Sequence, residues 1–498
     1  MSAAFDGAYP GARLISFLAL LSGASAKLVT FSNVQPRLDA TGSIINAHDG
    51  TTRRYSPGGP FYYHAMSYGL CNETGEIDGC TGDCIWGPNT AWTWASPDLS
   101  SGSWVRGAPI FIPGEGGVPA DCGFFRAQVV FNSATGLYVA WVNAGAGCSI
   151  CPAGYPRGNT SGQTGYTCYL TATAAAPYGP WVYRGAIVPD AALTGPPGWL
   201  GDYSLLADAD GAGYAIFTHG IDGAEHRNTW VFRLANDFLS FTSEHTGPLA
   251  VPFYGTEGLS IFHRNDLYYA FLSGCSCAGL YGGGVTYLTA PTPLGPWVTR
   301  SAELDPGCPM QKQTACEPPQ VGPGQVCNPI SGAQGNFVIE MPLADGGVQY
   351  VWTGDRWQTA PDHLLGHDPQ TWFPLTFLDN GDIAPFNWTD EFEVDIDAQR
   401  AAPAVKDGMC ILYANDATRS FYFSGVTAAG ALNPQLLTLS NWDALLLGLA
   451  AGEDENTLYV VPQGVGTENN MTIATVKTSP GGTANVSCVC CCASTPST

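Results

Sequence analysis

Three acidic residues precede alternating apolar runs in this 498-residue chain and are its best candidates for chemistry. Asp49 lies in SIINAHDG, Asp202 begins the run DYSLL, and Glu257 begins the run EGLSIF. In glycoside hydrolysis one carboxylic acid protonates the departing oxygen, and a second group activates water or attacks. Close carboxylates also raise one another's pKa, which keeps the acid protonated near neutral pH. Together these residues would suit the hydrolysis of a sugar linkage.

Three other polar residues, His48, Arg126 and Gln334, stand in comparable places before apolar runs. Three of these six positions also have a simpler structural interpretation. Asp49 precedes Gly50 and fits a turn equally well, and Glu257 also fits an exposed turn before its strand. His48 fits a hydrogen-bonded core histidine as well as a substrate contact or an axial ligand to metal or water.

A repeated hairpin pattern is expected to bring these distant residues together. Five times a polar turn is followed by a tyrosine in an alternating apolar run, at Tyr63, Tyr138, Tyr214, Tyr268 and Tyr350. Alternation indicates half-buried strands, and Asn, Asp and Gly turns indicate hairpins. Five such units without a long helix between them predict an all-β fold, a five-bladed β-propeller. Equivalent inner-strand residues of a propeller converge at one mouth of its axis.

The rest of the chain divides around these repeats. We expect a signal peptide at 1–26, the propeller at 27–397, and a small β-rich accessory region with a cysteine-rich end at 398–498. Trp104, Trp181 and Trp297 each follow a Gly- or Pro-rich turn and are expected to open an outer blade strand. Residues 302–332 are interpreted as a disulfide-held loop, and the apolar run 442–452 as a short helix.

Composition favours secretion and excludes some partners. The net charge is −23, which disfavours binding to nucleic acid or anionic lipid. Arg13 precedes the apolar run 14–23 and Ala24-Ser25-Ala26, the pattern of a cleaved secretory signal. That run is too short to span a bilayer, although an uncleaved anchor is the alternative. We therefore expect a secreted, monomeric protein without a membrane span.

The cysteines and glycosylation motifs agree with an oxidising compartment. The chain has 17 cysteines and five N-x-S/T motifs, at Asn72, Asn159, Asn387, Asn470 and Asn485. Cys148 and Cys151 have the spacing of a zinc or redox pair, but loop disulfides are favoured in a secreted chain. The odd number leaves at least one thiol free or paired between molecules. No cofactor is expected, and calcium at the propeller axis remains an open possibility.

The ordered series of these segments, over residues of about 40 to 395, resembles glycoside hydrolase family 43. Its members are five-bladed propellers that remove arabinose, xylose or galactose from plant polysaccharides. The segments INAHDG, FFRAQVVFN, GDYSLL, TEGLSIF and GAQGNFV are most similar to the exo-β-1,3-galactanase-like branch. The resemblance implies an inverting exo-glycosidase that acts on galactan-type side chains of cell-wall polysaccharide or arabinogalactan.

The resemblance also implies roles for individual residues. Glu257 matches the general acid, Asp202 the carboxylate that tunes and orients it, and Gln334 a residue proposed to replace the base through a tautomer. Phe125 stands where the branch has a Glu before the arginine of blade two. Asp49 stands where the branch has Gly, close to the Asp base of mainstream members. The base is therefore Asp49 or Gln334.

His48, Arg126, Asp355, Trp357 and Trp372 are the predicted substrate-binding residues. The two tryptophans are interpreted as sugar platforms or, equally, as core residues. The alternative function is a catalytically inactive carbohydrate-binding propeller, consistent with the carboxylate missing at Phe125. A third possibility is a cell-surface structural protein assembled through the cysteines of its tail.

Overall fold

The computed structural model describes most of the chain up to residue 398 and seven strands beyond it. The described residues are 25–69, 71–72, 87–145, 148–152, 166–194, 200–220, 227–249, 251, 256–274, 282–300, 303–309, 320–322, 325–326, 328–398 and strands between 409 and 488. The chain divides into two compact units, Met1–Arg400 and Ala401–Thr498. Most of the predicted signal segment, residues 1–24, lies outside the described residues.

Five antiparallel sheets of the first unit are the blades of a propeller. Strands are numbered along the chain from β1 (Ser25–Ser32). Blade one contains β2 (His48–Arg54), β3 (Phe61–Ser67), β4 (Thr90–Ser96) and β5 (Val105–Phe111). Blade two contains β6 (Phe124–Asn132), β7 (Leu137–Gly145), β8 (Tyr166–Ala174) and β9 (Val182–Ile187). Blade three contains β10 (Leu200–Ala207), β11 (Gly213–Gly220), β12 (Arg227–Leu234) and β13 (Phe241–His245), preceded by a helical turn at Ala191–Thr194.

The last two blades complete the ring. Blade four contains β14 (Thr256–Arg264), β15 (Leu267–Gly274), β16 (Val285–Ala290) and β17 (Val298–Thr299). Blade five has three strands, β20 (Gln334–Pro342), β21 (Val348–Asp355) and β22 (Gln370–Pro374), with a 3-10 turn at Leu365–His367. The predicted all-β, five-bladed propeller is confirmed.

The repeated aromatic residues occupy equivalent places in the blades. Each marker tyrosine lies in the second strand of its blade, in β3, β7, β11, β15 and β21. Trp104, Trp181 and Trp297 each immediately precede an outer strand, β5, β9 or β17. Trp104 is almost fully buried in the core cluster that also holds Tyr63, whereas the other two are partly buried at sheet edges. Burial of large rings between neighbouring sheets supplies much of the hydrophobic stabilisation of such a ring.

A β-bulge interrupts the first strand of every blade near its beginning. The pairing with the second strand shifts at His48/Thr51, Phe125/Gln128, Leu200/Tyr203, Glu257/Ser260 and Gly335/Phe337. An extra residue in one strand bends it and re-aims its side chains. The five bulges therefore form a ring at one end of the axis, and the predicted catalytic residues lie in or beside them.

A two-stranded ribbon closes the propeller. The strand β1 pairs antiparallel with β23 (Glu391–Ala398) over their whole length, with Ser25 opposite Ala398. The ribbon lies beside the three-stranded blade, because Asn33 pairs through its side chain with both backbone groups of Trp372, at 3.1 and 2.8 Å. The Asn33 amide thus completes part of the edge of blade five that lacks a fourth strand.

Disulfides stabilise the loops of the first unit, as the cysteine content predicted. Cys122 bonds to Cys148 and Cys151 to Cys168, so the two halves of the C-x-x-C pair have different partners. Cys71 and Cys308 are also disulfide-bonded. The described part of the region interpreted as a loop between blades four and five includes a short hairpin, β18 (Gln320–Gly322) and β19 (Gln325–Val326).

The second unit has two antiparallel sheets. One contains β24 (Met409–Asn415), β25 (Ser420–Val426) and β26 (Leu432–Leu437). The other contains β27 (Ala444–Ala451), β28 (Thr457–Gly464), β29 (Ala474–Thr478) and β30 (Ala484–Cys488). The short helix expected at 442–452 is wrong, because most of that run is β27, paired with β28. A short apolar run fits a buried strand as well as a helix, and cross-strand pairing decides between them.

Among the described residues, no helix is long and apolar enough to cross a membrane.

Candidate active site

Arg126 lies at the centre of the predicted cluster. Its Nε is 2.7 Å from Asp202 Oδ1, its Nη2 is 3.3 Å from Asp49 Oδ1, and its Nη1 donates to the carbonyl of Gly335 at 3.0 Å. The residue sits in the blade-two bulge at φ 51°, a conformation that few non-glycine residues adopt. One buried guanidinium thus joins residues of blades one, two, three and five.

Asp202 connects this centre to blade four. Its Oδ2 accepts the backbone N–H of Gly258 at 2.6 Å, so it fixes the start of the strand that carries Glu257. Burial, reinforced by the neighbouring Glu257, raises the pKa of Asp202 although Arg126 acts against this. Gly258 has φ 57°, and an added Cβ would lie 2.5 Å from the carbonyl oxygen of Gly335. Only glycine lets β14 and β20 approach this closely.

Glu257 is held by an amide of blade five. Gln334 Nε2 donates to Glu257 Oε2 at 2.7 Å, and Trp357 Nε1 donates to Gln334 Oε1 at 2.9 Å. The Trp357 N–H therefore fixes the orientation of the Gln334 amide: the amide oxygen accepts from the indole, and the amide nitrogen donates to Glu257. Glu257 is 6% exposed, so its carboxyl group is almost completely shielded from solvent.

Asp49 lies in the blade-one bulge at φ 53°. Its backbone N–H donates to Asp355 Oδ2 at 2.8 Å, and its side chain faces Arg126. Burial raises the pKa of Asp49 to about 7, and the negative charge of Asp355 adds to this while Arg126 opposes it. A carboxylate with such a pKa is suited to take a proton near neutral pH.

Asp355 is the most heavily hydrogen-bonded carboxylate of the site. It accepts hydrogen bonds from Asp49, His48, Asn336 and Gln370, at 2.7 to 3.0 Å. Burial acts to raise its pKa, but His48 and these donors hold the pKa of Asp355 below its usual value. It is therefore an ionised anchor for the first and fifth blades rather than a proton donor.

His48 donates from both ring nitrogens, to Asp355 at 3.0 Å and to the carbonyl of Gly366 at 3.1 Å. Although burial acts against the charged form, Asp355 raises the pKa of His48 from 6.5 to about 9. The folded state therefore retains a proton that the unfolded chain loses, and the contribution to stability is lost as the pH rises from 6.5 through about 9.

We expect the free energy of unfolding of the wild type to fall over this pH range, and a His48→Gln variant to show a shallower fall. Urea unfolding at a series of pH values measures both slopes. Equal slopes in the two proteins would contradict a protonated His48.

The structure brings together most of the residues predicted from the sequence. Asp49, Arg126, Asp202, Glu257, Gln334, His48, Asp355 and Trp357 form one connected network. Trp357 belongs to it through its N–H, but the ring is 1% exposed and packs against His48 and Tyr68.

The expectation that the two tryptophans are sugar platforms needs correction. Trp372 lies in the core cluster of the ribbon and blade one, where its ring stacks on Phe31 and against the guanidinium of Arg37. Neither ring presents an open face, because each fills space between the last blade and its neighbours. Of the two interpretations, the core interpretation agrees with the burial of both.

Sequence reasoning missed Asn336 and Gln370, which both donate to Asp355. Asn336 follows Gln334 by two residues in the blade-five bulge, so a search for polar residues around each bulge would have found it. Gln370 lies in β22 and also donates to the hydroxyl of Tyr63 at 2.7 Å. No local pattern marks it, since its role depends on pairing between β21 and β22.

One group of three potential metal ligands occurs among the described residues: Asp121, Cys122 and Cys148. The two sulfurs form a disulfide and are not available as thiolate ligands. This group does not test the prediction that no cofactor is needed, or the alternative of calcium at the axis.

Comparison with known proteins agrees with this fold. Residues 154–326, which include Asp202 and Glu257, match the family model for glycosyl hydrolases family 43. An exo-β-1,3-galactanase from Clostridium thermocellum is 17% identical with a TM-score of 0.54, and the match covers 92% of this chain and 91% of that one. An exo-β-1,3-galactanase from Phanerochaete chrysosporium bound to galactose is 19% identical with a TM-score of 0.50, covering 79% and 78%.

A family-43 β-1,3-galactosidase is 16% identical with a TM-score of 0.51, and the match covers 93% of this chain and 92% of that one. No curated protein matches the chain. At these identities the structural likeness shows a shared fold.

Proposed function

We propose that this chain, a glycoside hydrolase family 43-like five-bladed β-propeller, is a secreted glycosidase that removes galactose from the ends of β-1,3-linked galactan chains. The observation that carries the proposal is one buried cluster in which Asp49 and Asp202 both contact Arg126 and Asp202 accepts the backbone N–H next to Glu257. The family match supports the reaction class, and the galactanases and galactosidase of similar fold support the sugar.

In this proposal Glu257 is the general acid that protonates the departing glycosidic oxygen. Asp202 positions it by fixing the backbone at Gly258, and Gln334 positions its carboxyl group directly. An inverting mechanism places a water between the sugar and a base, with about 6.5–9.5 Å between the two carboxyl groups. Asp49 and Asp202 both contact Arg126, and Asp202 holds the backbone next to Glu257, so in this mechanism the sugar and the water lie between Glu257 and Asp49.

Asp49 is the better candidate for the base. Gln334 touches Glu257, and its amide oxygen accepts the Trp357 N–H, which favours the ordinary amide form over a tautomer with a basic nitrogen. Asp49, with a pKa of about 7, must be deprotonated to accept a proton from water. Activity through Asp49 is therefore lost as the pH falls through about 7.

We expect kcat/KM of the wild type to rise with pH through a midpoint near 7, and Asp49→Asn to lose about 10²–10⁴-fold in kcat. Asn is the matched substitution because it tolerates the left-handed backbone at this position. If Asp49→Asn keeps most of its activity and the wild type shows no such midpoint, Asp49 is not the base.

The substrate and the stereochemistry are tested by one experiment. Purified protein is incubated with β-1,3-galactan, arabinogalactan, arabinan and arabinoxylan, and released sugars are identified. Proton NMR at early times is expected to show α-galactose from β-1,3-galactan, the product of inversion. Early β-galactose would contradict inversion, and a different monosaccharide would replace galactose in the proposal.

A non-catalytic sugar-binding propeller is the second candidate. The observation that favours it is Phe125, which is buried beside Tyr68 and Trp357 and brings no carboxylate to the bulge of blade two. Saccharide binding without release of any sugar, by the wild type as well as by Glu257→Gln, would favour this candidate. In that case Phe125→Glu is the first variant to test for gain of hydrolysis.

Secretion is part of the proposal. The run after Arg13 supports it, and so do the disulfides of the first unit. Mass spectrometry of the protein from culture medium is expected to show a new N-terminus near Lys27.

A further inference from the structure

A polar cavity lies at the end of the inner strands opposite the bulges. It has a volume of about 360 Å³, and its lining includes Arg53, Tyr55, Phe131, Asp208 and Glu340. Arg53, Phe131 and Glu340 lie near the C-terminal ends of the first strands of their blades, and Tyr55 and Asp208 directly follow such strands. Gln334 and Glu340 begin and nearly end the same strand, which separates them by roughly 20 Å. The cavity is therefore distinct from the cluster around Glu257.

Arg53 supplies hydrogen-bond donors to this cavity that the protein does not use. One terminal nitrogen donates to the carbonyl of Leu205 at 2.8 Å, and the guanidinium lies 4.6 Å from the ring centre of Phe337. Its Nε is buried without an acceptor, and no carboxylate of the described residues forms an ion pair with it. A guanidinium has five N–H donors and the Leu205 carbonyl takes one of them, so Arg53 can donate to a ligand oxygen in the cavity that it lines.

Two carboxylates supply acceptors in the same cavity. Glu340 is exposed and makes no hydrogen bond or ion pair with the described residues, whereas Asp208 accepts the hydroxyl of Tyr268 at 2.6 Å. Arg53 and Arg54 balance these two carboxylates in the cavity lining, so its charge favours neither a free anion nor a simple cation. A neutral ligand with many hydroxyl groups can accept from the guanidinium and donate to the carboxylates at once.

A continuous aromatic strip leads into the cavity. It runs from Tyr178, which is 48% exposed, through Tyr62, Tyr55 and Tyr138 to Phe131, which is 40% exposed. Ring centres along it are 6.4, 6.0, 5.0 and 5.0 Å apart. Large exposed rings are uncommon on a surface without a binding role, and their faces pack against apolar ligand surfaces such as the C–H face of a sugar.

We propose that this face is a second, non-catalytic binding site for a neutral saccharide chain. One or two sugar units occupy the cavity against Arg53 and Glu340, and the following units lie along the aromatic strip towards Tyr178. The choice of polymer rests on the proposed function, but the site itself does not. It would hold the protein on a polysaccharide while the mouth at Glu257 acts on a chain end.

The test measures retention of the protein in native gels that contain soluble β-1,3-galactan, arabinogalactan, arabinan or arabinoxylan. All variants are made in the Glu257→Gln background so that the polymer is not consumed. Phe131→Ala and Tyr178→Ala are expected to weaken retention by about 3–10-fold each. Glu340→Gln removes an acceptor without removing volume, and it is expected to weaken retention in the same direction.

The matched control is Trp388→Ala, which removes an exposed ring outside the strip and is expected to leave retention unchanged. Unchanged retention in the three strip and cavity variants would overturn the proposal, and so would a parent protein that no polymer retains. A change in sedimentation of Phe131→Ala would instead identify the strip as a contact between protein copies, which also overturns it. Hydrolysis by the wild type tests the proposed function separately.

Discussion

Replacing Glu257 with Gln is expected to lower the turnover number on β-1,3-galactan by about 10²–10⁴-fold, the usual contribution of a general acid. The amide has the shape of the carboxyl group but cannot supply the proton to the departing oxygen. Its oxygen can still accept the Gln334 N–H, so the contact that now measures 2.7 Å is retained. The measurement is the initial rate of galactose release at saturating polymer, with circular dichroism to confirm the fold.

The matched control is Glu244→Gln, at a glutamate 55% exposed on the outer strand of blade three. It changes the net charge by the same amount and is expected to leave the turnover number within experimental error. If Glu257→Gln keeps more than a tenth of the wild-type rate, Glu257 is not the general acid. If the wild type itself releases nothing, the non-catalytic candidate replaces the enzyme.

Replacing Arg126 with Met is expected to destabilise the fold by about 3–5 kcal/mol, because it leaves two buried carboxylates without their cation. Asp49 and Asp202 both contact this guanidinium, and both are almost fully buried. Met keeps much of the volume, so the loss comes chiefly from the charge and the bond to the carbonyl of Gly335. Urea unfolding at pH 8 measures it.

The pH dependence of the free energy of unfolding identifies why Arg126→Met loses stability. The Arg126 guanidinium lowers the pKa of both Asp49 and Asp202. Without it, the pKa values of these two carboxyl groups rise further. A folded-state pKa above the unfolded value gives stability that is present at low pH and lost as pH rises through the folded pKa. The variant should therefore regain part of its stability between pH 8 and pH 5.

Arg233→Met is the control for this prediction. Arg233 pairs with Glu244 at 3.1 Å, but both side chains are exposed, and such pairs contribute about 0–1 kcal/mol. A loss for Arg126→Met as small as that for Arg233→Met would show that the cluster does not depend on its central cation.

The sequence predicted the ring of blades because its repeats are local. Each hairpin carries its own turn, tyrosine and alternation, so five copies could be recognised without knowing their contacts. The grouping of Asp49, Asp202, Glu257 and Gln334 followed from the repeat itself, since equivalent positions in a ring are neighbours in space. The run at 442–452 offered no such repetition, and its strand state is decided by pairing with β28.

The features of the site that could not be predicted from the sequence depend on contacts between residues distant in the chain. The bulges that turn Asp49 and Arg126 towards the axis arise from register shifts between strands, which no single residue signals. Gln370 reaches Asp355 because β21 and β22 pair. The choice between platform and core stayed open for Trp357 and Trp372 because burial depends on neighbouring blades, and residue type alone does not reveal it.

Pairing of β1 with β23 can form only late in synthesis of the chain. The strand β1 leaves the ribosome first, yet its partner is Glu391–Ala398, which is made only after all five blades. Throughout that interval the backbone groups of β1 are unpaired, and an unpaired strand edge is a template for pairing with other chains. Until β23 is made, the growing chain is therefore exposed to aggregation through β1. In the finished protein β23 pairs with β1 along its whole length.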